Sequence, residues 1–371
     1  MGVVSIAGPV SRHRILSIMP TFRCTAECTH CGTESSPRER TQLELDHILN
    51  AIDQAAKLDY DIVVFTGGEA TLARRNLLQG IKRAASYGLP VRVVTNAYWA
   101  ITDAAADRCI NSFVKVGLTE INFSTGDQHM RFVPVERVIR GTRAAVKAGL
   151  PVAIMIETVK DRKITKTTLE QHDDFRSVCR DFPASRIDIM ESPWMPLSPS
   201  VVADYPDHVP TNRENLPFRK GCDSVLTTTT IQADGRIGAC CGIGMRLVPE
   251  LQVGKIGETT LAAASKVAAD DFLKQWIRIE GPEHILAWAA THDPEIQWED
   301  MYAHRCQACI RLYTDPKVRQ VIANNYLEKV ADVLFAGWLL YCDVPADEAV
   351  PGSRSGAPVA EGIEPHVTPR L

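Results

Sequence analysis

Between residues 15 and 191 the chain alternates short apolar runs with segments of helical period, and no other feature limits its possible folds so strongly. The apolar runs cover 15–19, 61–66, 91–95, 120–124, 152–158 and 186–191. Between the first two, Leu45, Ile48, Leu49, Ile52, Ala55 and Ala56 share one face of a helix over 42–58. Further helices are expected over 76–87, 103–116, 135–148 and 167–182. Six strand–helix repeats with continuously apolar strands predict an α/β fold: a parallel sheet covered by helices and curled into a partial (βα)6 TIM-like barrel. Function in such folds gathers on the loops at the strands' C-terminal ends.

A Pro-rich connection then leads to a second region. Its Gln232-Ala233-Asp234-Gly235 turn sits between apolar stretches 226–231 and 236–239, which predicts a hairpin. Helical stretches over 259–277 and 316–341 follow. The expected organisation is an N-terminal extension (1–14), a barrel (15–195), a linker (196–216), a small hairpin-plus-helix domain (217–342) and a disordered tail rich in Pro, Gly and small polar residues (343–371). The chain shows no internal repeat beyond the strand–helix alternation.

At 371 residues and 45% apolar, the chain can build one large core or two moderate ones. Its net charge of −4 argues against a general nucleic-acid or anionic-membrane binder. Residues 1–14 carry no secretory signal, and no uncharged run reaches the roughly 18 residues that a bilayer span needs. The expected location is therefore cytoplasmic. Eleven cysteines in such a chain point to metal or redox chemistry rather than a disulfide framework.

Three of these cysteines, Cys24, Cys28 and Cys31, are spaced C-x3-C-x2-C directly after the first strand. One loop with that spacing can bind three corners of a cubane iron–sulfur cluster and leave the fourth iron open for chemistry. Structural zinc is the competing reading, but its fourth ligand would have to be His30, bent back inside the same tight loop. A second set comprises Cys222, Cys240, Cys306 and Cys309, with Cys241 left over. As two pairs of thiolates these fit either zinc or an iron–sulfur cluster. Cys109 and Cys179 lie on helical faces and read as core.

The cysteine loop, with Gly67-Gly68-Glu69 about forty residues further on at the second strand's end, resembles the signature of radical S-adenosylmethionine (SAM) enzymes. The resemblance spans about residues 15–312. It implies that His30 stands where an aromatic residue contacts adenine, and that Gly67, Gly68 and Glu69 hold the amino group of SAM. It also implies that Asn96 and Ser124 line the SAM site. Ala97 departs from the family's Thr-Asn-Gly pattern. Asp127 and His129 could bind cofactor or merely satisfy loop backbone, and Glu157 and Glu191 could anchor SAM or cap loops. Asn96 could equally shape its turn, and Tyr98 and Trp99 could form a substrate wall or core edge. Read beside the first motif, the second cysteine set resembles the truncated auxiliary domain (Twitch, a shorter relative of SPASM). That implies one auxiliary [4Fe–4S] cluster on Cys222, Cys240, Cys306 and Cys309.

The activity so implied is reductive cleavage of SAM to a 5′-deoxyadenosyl radical, hydrogen-atom abstraction from an unactivated substrate carbon, and net oxidation through the auxiliary cluster. The favoured substrate is a ribosomally made peptide whose side chains become crosslinked. Alternatives are oxidation of a small-molecule alcohol of aminoglycoside type and peptide epimerisation with Cys241 as hydrogen donor. A non-catalytic metal-binding module stands as a separate class. The implied partners are a reductant such as a flavodoxin or ferredoxin and a separate leader-peptide-recognition protein, since only about fourteen residues precede the first strand.

Overall fold

The computed structural model describes residues 13–193 and 204–342. The expected tail 343–371, most of the N-terminal extension 1–14 and the start of the 196–216 linker lie outside the described residues. The first half runs β1 (Ile15–Ile18), α1 (Leu45–Lys57), β2 (Ile62–Phe65), α2 (Arg74–Ser86), β3 (Val91–Thr95), α3 (Asp103–Val114) and β4 (Glu120–Thr125). It continues with α4 (Asp127–Met130), α5 (Val135–Lys147), β5 (Val152–Thr158), α6 (Lys166–Gln171), α7 (Asp173–Asp181) and β6 (Ile187–Pro193). The second half holds β7 (Thr228–Ile231), β8 (Arg236–Gly238), β9 (Gln252–Lys255), α8 (Leu261–Ala269), α9 (Phe272–Ile279), α10 (Pro282–His292), α11 (Arg305–Thr314), α12 (Pro316–Asn325) and α13 (Leu327–Cys342).

Among the described residues nine strands form one sheet, ordered β6-β5-β4-β3-β2-β1-β7-β8-β9. Strands β1 to β6 run parallel, as the alternation requires, and the sheet is not closed. The second region joins the same sheet: β7 pairs parallel to β1 from Ile15↔Thr228 to Ile18↔Ile231, and β8 and β9 add antiparallel.

Strand polarity differs from the expected continuous apolar runs. Along β4, Ile121 and Phe123 are fully buried, whereas Glu120, Asn122 and Ser124 are half-buried on the opposite face. An unclosed sheet leaves its concave face open, so alternate positions there can be polar. The convex face buries Ile48, Ile52, Leu77, Ile81 and Phe113 from the covering helices. A second core, built around Trp276, Ile285, Leu286, Leu312 and Val318, includes Cys240. Cys109 is buried as expected, but Cys179 on α7 is exposed and is not a core residue.

Three expected helices are each divided in two. His172 and Asp271 take extended backbone and cap α7 and α9, accepting from the N–H groups of Asp174 and Lys274. Side chains that satisfy a helix start compete with continuation through it. The third division, between α12 and α13, falls at Tyr326. Helices α10 and α11 and strand β9 were not expected. Among the described residues no helix is long and apolar enough to cross a membrane.

Candidate functional site

Beyond β1 the chain turns into a loop held to itself at its base. Phe22 N–H donates to Thr41 O at 3.1 Å, and Cys24 N–H to Ser36 O at 3.1 Å. Inside that loop, backbone N–H groups point at sulfur: Ala26 donates to Cys24 Sγ at 3.4 Å and Ser35 to Cys31 Sγ at 3.3 Å. Such bonds favour thiolates and tune iron–sulfur clusters. Burial, then the Glu69 charge, pushes the Cys24 thiol up to about 12. Burial and then Glu157 raise Cys28 as well. As thiolates these neighbouring cysteines would repel one another, which a cationic metal core offsets, so the donor set fits the implied cluster. Among the described residues no three His, Cys, Asp or Glu side chains converge on one ion position.

The Gly67-Gly68-Glu69 turn docks onto this loop. Gly68 and Glu69 donate their N–H groups to Thr21 O at 3.0 Å and Arg23 O at 2.8 Å. A Cβ on Gly68 would lie 2.3 Å from Arg23 O, so close approach requires glycine there. The Glu69 side chain turns inward. Only 1% exposed, it accepts from the Thr71 hydroxyl and N–H, from Thr95 Oγ1 at 2.8 Å and from Asn96 N–H at 2.8 Å. Burial raises its pKa despite these donors. Its carboxylate thus clasps the ends of β2 and β3.

Asn96 extends the clasp: its Nδ2 donates to Thr25 Oγ1 at 3.0 Å and its Oδ1 accepts from Tyr98 N–H at 3.1 Å. Ala97 has φ +61, the left-handed conformation in which the family's glycine would be at ease. Trp99 sits against Phe113 and Phe123 as core edge.

At the ends of β4 and β5, Glu157 is 1% exposed and accepts from the Gln128 N–H and from His129 Nδ1 at 3.2 Å. A Cβ on Gly126 would fall 2.2 Å from Glu157 Cγ, so that glycine admits the carboxylate. Glu157 thereby stands beside Cys28 and His30, whose buried ring accepts or donates at Thr29 Oγ1, 2.7 Å away. Ser124 faces the concave side. Asp127 is committed elsewhere: its carboxylate accepts from the N–H groups of Lys163 and Ile164 at 3.0 Å, holding the loop after β5. Glu191 likewise accepts from Lys166 N–H at 2.9 Å and is exposed.

Cys222, Cys240, Cys241, Cys306 and Cys309 come together. Cys241 accepts hydrogen bonds from the Cys240 and Cys306 thiols and from Ser224, which lower its pKa and raise those of its thiol donors. Its charge also reaches Cys222 and Cys309, both raised first by burial. Cys306 lies in the first turn of α11, which His304 caps by accepting the Cys306 N–H at 3.2 Å. A helix N-terminus favours anionic sulfur. The Arg305 guanidinium lies beside Cys222 and Cys306 and donates to Gly221 O at 2.8 Å. Cationic surroundings and converging thiols fit an anionic cluster.

The two cysteine sets are stitched directly to one another. Gly244 N–H donates to Gly32 O at 3.0 Å, and the Arg246 guanidinium donates to Thr33 O at 3.1 Å and Glu34 O at 3.0 Å. Arg246 also stacks 4.4 Å from the Phe22 ring centroid. Sequence reasoning missed this bridge, although Gly242 and Gly244, both with positive φ, mark the tight turn that makes it. A cleft of about 500 Å³ lined by Tyr205, His208, Asn212, Arg213, Glu299 and Asp300 contains none of the expected site residues.

Residues 18–175 match the family model of the radical SAM superfamily. It is 22% identical over 166 residues to the Putative peptide biosynthesis protein YydG of Bacillus subtilis (strain 168), covering 44% of this chain and 51% of that one. It is 30% identical over 156 residues to a Probable GTP 3′,8-cyclase of Saccharolobus solfataricus, covering 40% of this chain and 48% of the relative. The chain spans about half the length of the curated relatives it matches. Among solved structures, histidine-tagged anSMEcpe with bound AdoMet aligns over 84% of this chain and 99% of its own at a TM-score of 0.50 and 11% identity. That likeness shows the α/β fold.

Proposed function

We propose that this chain is a radical SAM enzyme with two [4Fe–4S] clusters that oxidatively modifies a ribosomally made peptide. The observation that carries this reading is the short bridge through Gly32, Gly244 and Arg246 between a three-cysteine loop and a five-cysteine cluster. On this reading Cys24, Cys28 and Cys31 hold the SAM-binding cluster, and the auxiliary cluster takes its four ligands from Cys222, Cys240, Cys241, Cys306 and Cys309. Bound together, SAM and its cluster supply a carbon-centred radical able to take hydrogen from an unactivated carbon.

The chain's own residues position and shield. Glu69 and Asn96 fix the ends of β2 and β3 against the cysteine loop, so the Gly67-Gly68 backbone meets SAM in one geometry. His30, Ser124 and Glu157 border the same mouth. Glu157 keeps His129 beside it. The buried thiol cluster next door gives the substrate's surplus electron a destination, which supports net oxidation over isomerisation.

A peptide substrate is supported by the likeness, over 44% of this chain, to YydG, named as a peptide biosynthesis protein. The cyclase relative supports a small-molecule substrate in its place. A second reading, peptide epimerisation, draws on one observation: five thiols meet where a cubane needs four, so one could return a hydrogen atom. The decisive experiment incubates anaerobically reconstituted, reduced protein with SAM and candidate peptides encoded nearby. 5′-Deoxyadenosine formation that requires Cys24, with a peptide product lighter by two hydrogens, supports the proposal. An isobaric epimer that disappears in Cys241→Ala favours the second reading, and absence of SAM cleavage overturns both.

A further inference from the structure

The Tyr313 side chain is 5% exposed, and its hydroxyl has no hydrogen-bond partner among the described residues. Buried hydroxyls in folded proteins almost always find one. Its position indicates what the partner is. Cys306, Cys309 and Tyr313 stand at i, i+3 and i+7 of α11, one stripe along a single helix face. Tyr313, Cys240 and Cys309 belong to the same buried cluster. Titratable groups around the phenol include Cys309, Asp271, Cys240 and Glu250. The two carboxylates already have cationic partners, Asp271 in Lys274 and Glu250 in Arg319 at 3.5 Å. Sulfur is what remains for the hydroxyl.

We infer that Tyr313 donates a hydrogen bond to a sulfur of the auxiliary cluster, either a cysteine thiolate or a bridging sulfide, and so holds that cluster's reduction potential up. The inference rests on the auxiliary-cluster reading above. A donor aimed at cluster sulfur stabilises the extra negative charge of the reduced state, and hydrogen bonds of this kind are among the settings of iron–sulfur potentials. Tyr313 is a positioning residue here: it tunes the acceptor of the substrate's electron without touching substrate.

Tyr313→Phe keeps the ring that packs in the core and removes only the hydroxyl. Full-length protein, reconstituted anaerobically, is assayed for iron and titrated potentiometrically with EPR detection, beside wild type and Tyr87→Phe as a remote control. The expected result is about eight irons per chain in all three. The auxiliary cluster's midpoint in Tyr313→Phe alone should move to more negative potential, with the SAM-binding cluster unmoved. An unmoved auxiliary midpoint at full iron content overturns the inference. Pulsed ENDOR on the wild-type reduced auxiliary cluster gives a check that needs no variant: an exchangeable proton coupling is expected, and its absence overturns the inference. Wild-type protein holding only about four irons would overturn the auxiliary-cluster reading itself.

Discussion

Ala97 and Glu69 carry a good part of the strain and order at the mouth of the barrel. Ala97, fully buried, sits at φ +61, where an alanine costs about 1–2 kcal/mol relative to right-handed backbone. Glycine would relieve that cost but adds unfolded-state freedom worth about 0.4–1 kcal/mol. Ala97→Gly should therefore be neutral or stabilising by up to about 1.6 kcal/mol, whereas Ala97→Val should lower the melting temperature clearly in anaerobic calorimetry. At Glu69, Glu69→Ala would orphan the donors on Thr71, Thr95 and Asn96. A loss of about 2–4 kcal/mol in denaturant titrations is expected, together with loss of SAM binding. The three cysteines of the first loop are legible because a short spacing constrains them covalently. The Glu69 clasp is not, since its partners at Thr95 and Asn96 lie 26 and 27 residues away and only the register of β2 beside β3 brings them in. Asp127 shows the same limit: its backbone partners at Lys163 and Ile164 belong to another loop.

Among elements, the strands of the barrel are readable to within a residue or two because their apolar runs are bounded by turn residues. The divided helices are less so, since His172 and Asp271 look like ordinary surface residues until they cap. The loop carrying Arg246 is the element on which the two cysteine sets depend. Arg246→Ala removes its donors to Thr33 O and Glu34 O, and should cost about 1.5–3 kcal/mol in unfolding and loosen the first loop. Limited proteolysis between residues 31 and 39 should report that loosening. Asp315, which links α11 to α12, adds a pH signature. Burial would raise its pKa, but the Arg311 hydrogen bond and the N–H groups of Val318 and Lys317 outweigh it and hold the carboxyl below its usual value. With the folded value depressed, its stabilisation is present above the ordinary carboxylate pKa and fades as pH falls through the folded value. Asp315→Asn should cost about 1 kcal/mol at pH 7 and make stability less steep in pH below about 4.

At the scale of the whole molecule, the sequence divides into two regions while the sheet does not. Pairing of β7 with β1 sets the hairpin and its cysteines next to the first loop, a neighbourhood that no local pattern encodes. The parallel half of the fold was legible because every repeat carries its own periodicity. The second core was not, because α10 and α11 have apolar positions spread around the helix rather than along one face. The account's central claim is that one chain holds two cysteine-bound clusters side by side. Its most direct test is the iron content of anaerobically reconstituted protein, wild type against the Cys306→Ser/Cys309→Ser double variant. About eight irons per chain falling to about four is the predicted result. About four in both proteins, or no loss in the variant, would contradict it.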